Sequence, residues 1–156
     1  MTAVASQQFW EDFFKAQTRS EWYFSANSFL DDLLTMDTRR DPSLTVLHAG
    51  IGNAVFKADY FTGTCVQFDF SMNGLKQIPN LNQSLNLFGA NALSMPLRDQ
   101  TFDLIVEKGL FDSITGRADS ATSNAYLLLC EYHRCLREHG RVFIFSLFGP
   151  SSDDKD

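Results

Sequence analysis

The chain has 156 residues, 44% of them apolar, and a formal net charge of -6 at pH 7. This length and composition suit one domain with a single sizeable core and disfavour two domains. The negative charge disfavours binding of nucleic acid through its phosphates, so a protein or small-molecule substrate is favoured.

Residues 1–42 are predicted to form an N-terminal helical cap. Apolar residues recur at helical spacing over 6–36, and Pro42 stops the helical stretch. The main domain is predicted over 43–150. The acidic segment 151–156 has no apolar residue to bury, so we expect a mobile tail there.

Strand-like and helix-like segments alternate after the cap, which predicts an α/β fold with crossover connections and a parallel sheet. The predicted strands lie near 44–48, 64–68, 85–88, 102–107 and 141–147, and the predicted helices near 53–61, 71–78 and 121–138. In the last helix we expect Ala125, Leu129, Tyr132 and Leu136 to form an apolar stripe toward the core, and Gly140 to end the helix.

The first predicted strand ends in a Gly-x-Gly turn. Gly50 allows an unusual φ where the chain leaves the strand, and Gly52 lets backbone N–H groups approach a ligand. Such a turn is ordinary by itself, but Asp69 closes a second apolar run about 20 residues later, where a carboxylate can accept both hydroxyls of a ribose. We therefore interpret the pattern as a nucleotide site.

The kind of nucleotide is restricted by Val55, which stands where a dinucleotide loop has its third glycine. No basic residue lies between Gly50 and Phe56 to pair with a pyrophosphate. An NAD-dependent oxidoreductase is therefore disfavoured, and a ligand without phosphate is favoured.

Polar residues follow four successive predicted strands. They are His48, Asp69, Asn91 and Glu107. Because open α/β sheets bind ligands in the crevice beyond the carboxyl ends of their strands, we expect these side chains to meet at one site.

The cysteines, Cys65, Cys130 and Cys135, lack the paired spacing of a zinc site, so we expect no metal and interpret them as reduced thiols in the core. No apolar stretch approaches the roughly 20 residues that cross a bilayer, and the N-terminus lacks the order of a secretory signal. We expect an intracellular, cytoplasmic protein without membrane contact, with mitochondria as the alternative compartment.

Taken together, several motifs resemble those of class I S-adenosylmethionine-dependent methyltransferases, over most of residues 8–150. Features typical of the wider class are the apolar strand at 102–106 and the helix at 125–136 followed by Gly-Arg-Val at 140–142. More narrowly, the chain resembles the protein-lysine methyltransferases of translation elongation factor and citrate synthase. That likeness rests on Phe-Trp-Glu-Asp-Phe-Phe at 9–14, Glu-Trp-Tyr at 21–23 and Glu-Lys-Gly-Leu-Phe-Asp at 107–112.

This resemblance implies a Rossmann-like, mostly parallel sheet with flanking helices, S-adenosyl-L-methionine as cofactor, S-adenosyl-L-homocysteine as product and a protein lysine as acceptor. Position by position, Gly50 and Gly52 would face the methionine part of the cofactor, with His48 and Ala49 in the same loop, and Asp69 would face the ribose. For the adenine the resemblance implies Phe70, Asn91 and Ala92, and for the roof of the site Trp22. It also implies that Glu107 binds the cofactor and that Glu107 and Asp112 orient the amine as catalytic residues.

The chain departs from the family pattern at three positions, His48, Ala54 and Asn91, where the family commonly has an acidic residue, Gly and Asp. After the fourth strand it also lacks the Asn/Asp-Pro-Pro-Tyr/Phe motif with which such enzymes methylate nucleic-acid bases and glutamine amides. Those acceptors are therefore disfavoured.

The family fold continues beyond the fifth strand with a helix and antiparallel strands that this sequence lacks. We expect the apolar edge strand 141–148 to be covered by a second copy, a partner chain or residues outside this sequence. The alternative to an enzyme is a catalytically silent, methyltransferase-like subunit with a structural role in a larger complex.

Overall fold

The computed structural model describes residues 6–17, 22–23, 43–55, 63–79, 86–116 and 121–147. Within them lies a parallel five-stranded sheet of order β3-β2-β1-β4-β5. The strands are β1 Val46–Ala49, β2 Cys65–Asp69, β3 Leu87–Gly89, β4 Phe102–Lys108 and β5 Leu136–Phe145. The predicted α/β architecture is confirmed, with β1 to β4 close to their predicted positions, whereas β5 starts five residues before the predicted 141.

Four helices are described: α1 Gln7–Ala16, α2 Met72–Lys76, α3 Leu110–Thr115 and α4 Ala121–Cys135. The predicted helix at 53–61 is wrong over 53–55, where the chain forms a turn and then irregular structure, and 56–61 lies outside the described residues. The sequence did not predict α3. Of the predicted cap at 1–42 only α1 and residues 22–23 are described, and the predicted tail at 151–156 lies outside the described part.

The central strands β1 and β4 are buried on both faces, which is why they read as continuous apolar runs. All four residues of β1 are buried, and Leu104, Ile105 and Val106 of β4 are inaccessible to solvent. Successive side chains alternate between the faces. Ile105 packs in the core that includes Leu128 of α4, whereas its two neighbours join a separate apolar cluster.

Helix α4 packs through a stripe that agrees only in part with the predicted one: Tyr132 is buried and Leu136, now in β5, packs against the same core, but Leu129 was misplaced. The buried residues of α4 are Leu128, Tyr132 and Cys135, whereas Leu129 is 44% exposed. The error has a physical origin, because the apolar run 125–130 contains more than one stripe at helical spacing and periodicity cannot choose between them.

The predicted end of this helix at Gly140 is also wrong. Helix α4 ends at Cys135, whose carbonyl accepts a hydrogen bond from the Thr101 N–H at 2.8 Å, and β5 starts at the next residue. The residue with a left-handed φ is His139, at +63°. Pairing with the segment before β4 therefore ends the helix five residues earlier than a glycine cap would.

The cysteines differ in exposure. Cys135 is buried and Cys65 half-buried, but Cys130 is exposed on α4, so its assignment to the core is wrong. Burial raises the pKa of the Cys65 thiol to about 12. In the part of the chain that the structure describes, no helix is long and apolar enough to cross a bilayer.

Strand β5 forms one edge of the sheet. Its inner side pairs with β4, and among the described residues no strand pairs with its outer side. An edge of this length presents unpaired backbone groups that other proteins cover with a further element or a partner. The partner expected over 141–148 therefore stays a prediction.

Candidate functional site

A cavity of about 150 Å³ lies at the carboxyl ends of the strands, where β1 is flanked by β2 on one side and β4 on the other. This is the switch point of the sheet, the place where open α/β folds bind ligands. Most of the predicted site residues line it: Trp22, His48, Gly50, Gly52, Asp69, Phe70, Asn91 and Ala92. Ala49, Glu107 and Asp112 do not line its wall.

The glycine turn after β1 has the backbone conformation that the sequence predicted. Gly50 has φ of +65° and Gly52 has φ of +60°, in the region that side chains with a Cβ rarely adopt. A Cβ at Gly50 would lie 2.7 Å from the Cβ of Leu110, and one at Gly52 would lie 2.9 Å from Cζ of Phe14. The turn is therefore held between α3 on one side and α1 on the other.

Asp69, the last residue of β2, connects the two loops that border the cavity. One carboxylate oxygen accepts the Gly52 N–H at 2.7 Å and the other accepts the Ser71 N–H at 2.8 Å. Only 8% of the residue is exposed, and burial raises its pKa while these N–H donors oppose the rise. Because each carboxylate oxygen can accept more than one hydrogen bond, the group retains acceptor capacity toward the cavity.

His48 lies buried at the β1 end of the cavity. Its Nδ1 is 3.1 Å from Oε1 of Gln67. Burial lowers its pKa to about 3, and the charge of Lys108 lowers it further. The imidazole is therefore neutral at physiological pH, and His48 brings no charge to this end of the cavity.

On the opposite side, Asn91 follows β3 and stabilises its own loop. Its Oδ1 accepts the Leu93 N–H at 2.9 Å, an Asx turn that Asp would also form. The Asn91 expected to depart from the family pattern thus makes the same local backbone bond as an Asp would. The aromatic ring of Phe70 and the small, buried Ala92 line the same side of the cavity.

Glu107 lies behind the cavity wall. Its Oε2 accepts the N–H groups of Leu110 at 2.7 Å and Phe111 at 3.2 Å, so the side chain caps α3. Among the residues that the structure describes, neither its buried Oε1 nor the buried hydroxyl of Tyr132 has a hydrogen-bond partner. Burial raises the Glu107 pKa to about 8, although the backbone donors oppose this, and the carboxyl carries its proton at neutral pH.

Asp112, in the first turn of α3, contacts residues from distant parts of the chain. Its carboxylate accepts hydrogen bonds from the hydroxyls of Tyr23 and Ser146 and from the Leu147 N–H at 3.0 Å. The structure therefore connects Asp112 to the roof of the cavity and to the end of β5. The catalytic assignments of Glu107 and Asp112 stay predictions.

Several lining residues were not predicted from the sequence. Trp10 and Phe14 reach the cavity from α1, Lys108 from the end of β4, Ser113 from α3 and Asn124 from α4. The pair on α1 could have been found, since the residues lie four apart and hence on one face of a helix. Ser113 lies on α3, which the sequence did not predict, and Asn124 on α4, whose orientation it predicted only in part, whereas Lys108 lies beside Glu107 at a strand end that was predicted.

Glu11 attaches α1 to the sheet domain. Its carboxylate accepts the N–H groups of Met72 at 2.8 Å and Asn73 at 2.9 Å and the Ser71 hydroxyl at 3.0 Å. Although burial opposes it, these donors lower the pKa of Glu11 below its usual value. Glu11 therefore holds the N-terminus of α2, and α1 brings its aromatic residues to the cavity.

These features define a Rossmann-like domain with a nucleoside-type site: a parallel sheet, a left-handed glycine turn after β1 and a buried carboxylate after β2. A family model described as a methyltransferase domain matches residues 47–144, and the chain belongs to this family. Its members are S-adenosyl-L-methionine-dependent methyltransferases. None of the curated proteins matches the sequence significantly.

Solved structures with the same fold are distant in sequence. A candidate S-adenosyl-L-methionine-dependent methyltransferase from Methanococcus maripaludis is 19% identical, with a TM-score of 0.58 over 74% of this chain and 52% of that one. The PH0226 protein from Pyrococcus horikoshii OT3 is 19% identical, with a TM-score of 0.64 over 85% and 64%. A candidate sarcosine dimethylglycine methyltransferase from Galdieria sulphuraria is 17% identical, with a TM-score of 0.58 over 75% and 43%. The chain thus spans about half the length of the Methanococcus protein.

Proposed function

We propose that this protein is an S-adenosyl-L-methionine-dependent methyltransferase that transfers the methyl group to a lysine of a protein. The observation that carries the cofactor assignment is the contact between Gly52 and Asp69, which places a glycine turn and a buried carboxylate at one cavity. Family membership supports the reaction class. The lysine acceptor is supported by the motifs at 9–14 and 107–112 and by the net charge of -6, which favours a basic protein substrate.

The residues present fit the cofactor. Gly50 and Gly52 line the cavity without a Cβ, which suits the amino-acid end of the cofactor. Asp69 retains acceptor capacity for the ribose hydroxyls. The faces of Phe70 and Trp22 suit a planar base and a cationic sulfonium, respectively.

When bound, S-adenosyl-L-methionine supplies a methyl group on a sulfonium that leaves as a neutral thioether. The residues of this chain then have to bind the cofactor, orient it toward the acceptor and exclude water, because in-line transfer depends mainly on position. Trp10, Phe14 and Trp22 line the cavity with aromatic rings, which attract a sulfonium or an approaching ammonium and keep bulk water away.

The acceptor amine must lose its proton before it attacks, and in this proposal solvent takes that proton. Glu107 is already protonated at neutral pH. Asp112 is occupied by its contacts with Tyr23 and residues at the end of β5. In this proposal neither Glu107 nor Asp112 therefore acts as the base.

Calorimetric titration with S-adenosyl-L-methionine tests the cofactor assignment. We expect a micromolar dissociation constant, which corresponds to about -8 kcal/mol. Asp69→Ala should weaken binding about tenfold or more, because two backbone donors and the ribose lose their acceptor. Asp99→Ala, at an exposed carboxylate outside the cavity, is the control and should bind like the parent.

The acceptor is tested separately with methyl-labelled cofactor and a mixture of basic proteins. After acid hydrolysis of the proteins we expect label in methyllysine. Label only in base-labile esters or only in small molecules would contradict the lysine assignment while leaving the methyltransferase assignment intact.

The neutral His48 favours one alternative, a catalytically silent subunit of a larger complex, since it removes the acidic group of the related enzymes. In that role the outer edge of β5 would pair with a second copy or a partner chain, the partner we propose for residues 141–148. Absence of binding heat and of thermal stabilisation by the cofactor, together with a dimer in light scattering, would favour this alternative.

A further inference from the structure

We infer that Asp112 is a positioning residue that holds Trp22 and Tyr23 over the cofactor cavity and connects this roof to the end of β5. The inference rests on the proposed cofactor site. In this role Asp112 contributes to the affinity for the cofactor and does not transfer a proton.

The contacts of Asp112 join three parts of the chain that are far apart in sequence. From the N-terminal region, the Tyr23 hydroxyl donates to Oδ2. From the end of β5, the Ser146 hydroxyl donates to Oδ1, and the Leu147 N–H donates to Oδ2 at 3.0 Å. Because both oxygens accept from other segments, the carboxylate acts as a junction, and it does not line the cavity itself.

Tyr23 has a backbone conformation that needs support. Its φ is +68°, a region that residues with a large side chain rarely occupy. Its ring lies against Gly109, where a Cβ would be 3.4 Å from Cε2 of Tyr23, and Gly109 itself has a φ of +79°. The strained backbone persists because the ring is packed at one end and its hydroxyl is bound by Asp112 at the other.

Trp22 gains its position from both sides. Its ring packs against Trp10 of α1, with centroids 5.8 Å apart, and against the ring of Tyr23 at 6.3 Å. It lines the cavity although 42% of the residue is exposed. Phe13 of α1 also contacts the ring, with centroids 6.4 Å apart, so α1 supports one side of Trp22 and Tyr23, which Asp112 holds, supports the other.

The protonation states agree with this arrangement. Burial raises the pKa of Tyr23 to about 12, and its hydrogen bond to Asp112 contributes to the rise. The phenol therefore remains a donor to the carboxylate over the whole range in which a methyltransferase assay is run.

The test compares Asp112→Asn and Tyr23→Phe with the parent in steady-state kinetics and in cofactor titrations. We expect each variant to raise the KM and the dissociation constant for S-adenosyl-L-methionine about tenfold, the loss of one charge-assisted hydrogen bond, with kcat within about twofold. Tyr126→Phe, which removes an exposed hydroxyl on the outer face of α4, is the matched control and should leave all three constants unchanged. Melting curves show whether each variant is folded.

A second readout needs no cofactor. The fluorescence of Trp22 is obtained by subtracting the signal of a protein that carries Trp22→Phe in the same background. Acrylamide quenching of this fluorescence should be stronger in Asp112→Asn and Tyr23→Phe than in the parent. A kcat reduced about a hundredfold at unchanged KM would overturn the inference and make Asp112 a catalytic residue. Unchanged quenching would also overturn it. If the parent binds no cofactor, the proposed function fails, and the quenching still decides whether Asp112 positions the roof.

Discussion

The backbone N–H of Gly52 donates a 2.7 Å hydrogen bond to the carboxylate of Asp69, at the carboxyl ends of two neighbouring strands. The bond fixes the turn after β1 relative to the loop after β2, so the two halves of the cavity are held together in the absence of a ligand. A site built in this way does not have to order its loops when it binds, which favours affinity.

The glycine turn provides the first prediction. Gly52→Ala should destabilise the protein by about 1–3 kcal/mol, because φ of +60° is unfavourable with a Cβ and the added carbon meets Phe14 at 2.9 Å. Cofactor affinity should fall as well, since Phe14 lines the cavity. Urea unfolding and calorimetric titration measure the two effects.

Gly89→Ala is the control for this variant. A Cβ there meets the flexible end of Met72 at 2.7 Å, and Gly89 does not have a positive φ, so the cost should be smaller than at Gly52. Equal destabilisation of the two variants would show that the left-handed backbone at Gly52 is not the cause.

Glu107 provides a prediction on pH dependence. Its pKa is about 8 in the folded protein and near 4.5 when exposed, so the unfolded chain loses this proton first as the pH rises. The contribution of Glu107 to stability is therefore fully present below pH 4.5, decreases between about 4.5 and 8, and levels off above 8. Glu107→Gln removes this titration, so its stability relative to the parent should rise over the same interval.

Thermal melts of both proteins across this range measure the difference. The carboxamide keeps an acceptor for the N–H groups of Leu110 and Phe111, and its N–H₂ group offers a donor where Oε1 has no partner. Glu138→Gln, at an exposed position on β5, is the control for the substitution of a glutamate by glutamine. A constant difference between Glu107→Gln and the parent at all pH values would mean that folding does not change the pKa of Glu107.

The sequence predicted the features that depend on local pattern. The apolar runs predicted the strands β1 and β4, which are buried at the centre of the sheet. Gly50 predicted an unusual φ, which is left-handed in the structure. The polar residues at the strand ends were placed at one edge because parallel strands share their direction. His48 and Asp69 do line the cavity there, whereas Glu107 does not.

The features that the sequence missed depend on contacts between distant residues. Helix α3 has only six residues and is capped by Glu107 from the preceding strand, so no helical periodicity reveals it. Glu11 docks α1 on α2 through residues about 60 positions away. The orientation of α4 was ambiguous because its apolar run allowed more than one face.

Thiol reactivity provides a third prediction. Cys130 is exposed, whereas Cys135 is buried and burial raises the pKa of Cys65 to about 12. A disulfide reagent should therefore modify Cys130 rapidly in the native protein and the other two only after unfolding, because the thiolate is the reactive form. Cys130→Ser should abolish the rapid phase. A rapid phase that survives in this variant would contradict the burial of Cys135 or Cys65.

The docking of α1 provides the last prediction. Glu11→Gln keeps the size of the side chain but removes the charge that accepts from Met72, Asn73 and the Ser71 hydroxyl. We expect a loss of about 1 kcal/mol, the usual value of a helix cap, and weaker cofactor binding because α1 carries Trp10 to the cavity.

The pKa of Glu11 is lowered in the folded state, so its contribution is present above pH 4.5 and is lost as the pH falls through the folded pKa. The difference between parent and Glu11→Gln in urea unfolding should accordingly vanish in acid. Asp12→Asn is the matched control on the same helix, since Asp12 is exposed and pairs only with Gln8 and Lys15 among the described residues. If Asp12→Asn weakened cofactor binding as much as Glu11→Gln, charge on α1 in general, rather than the cap on α2, would hold the helix in place.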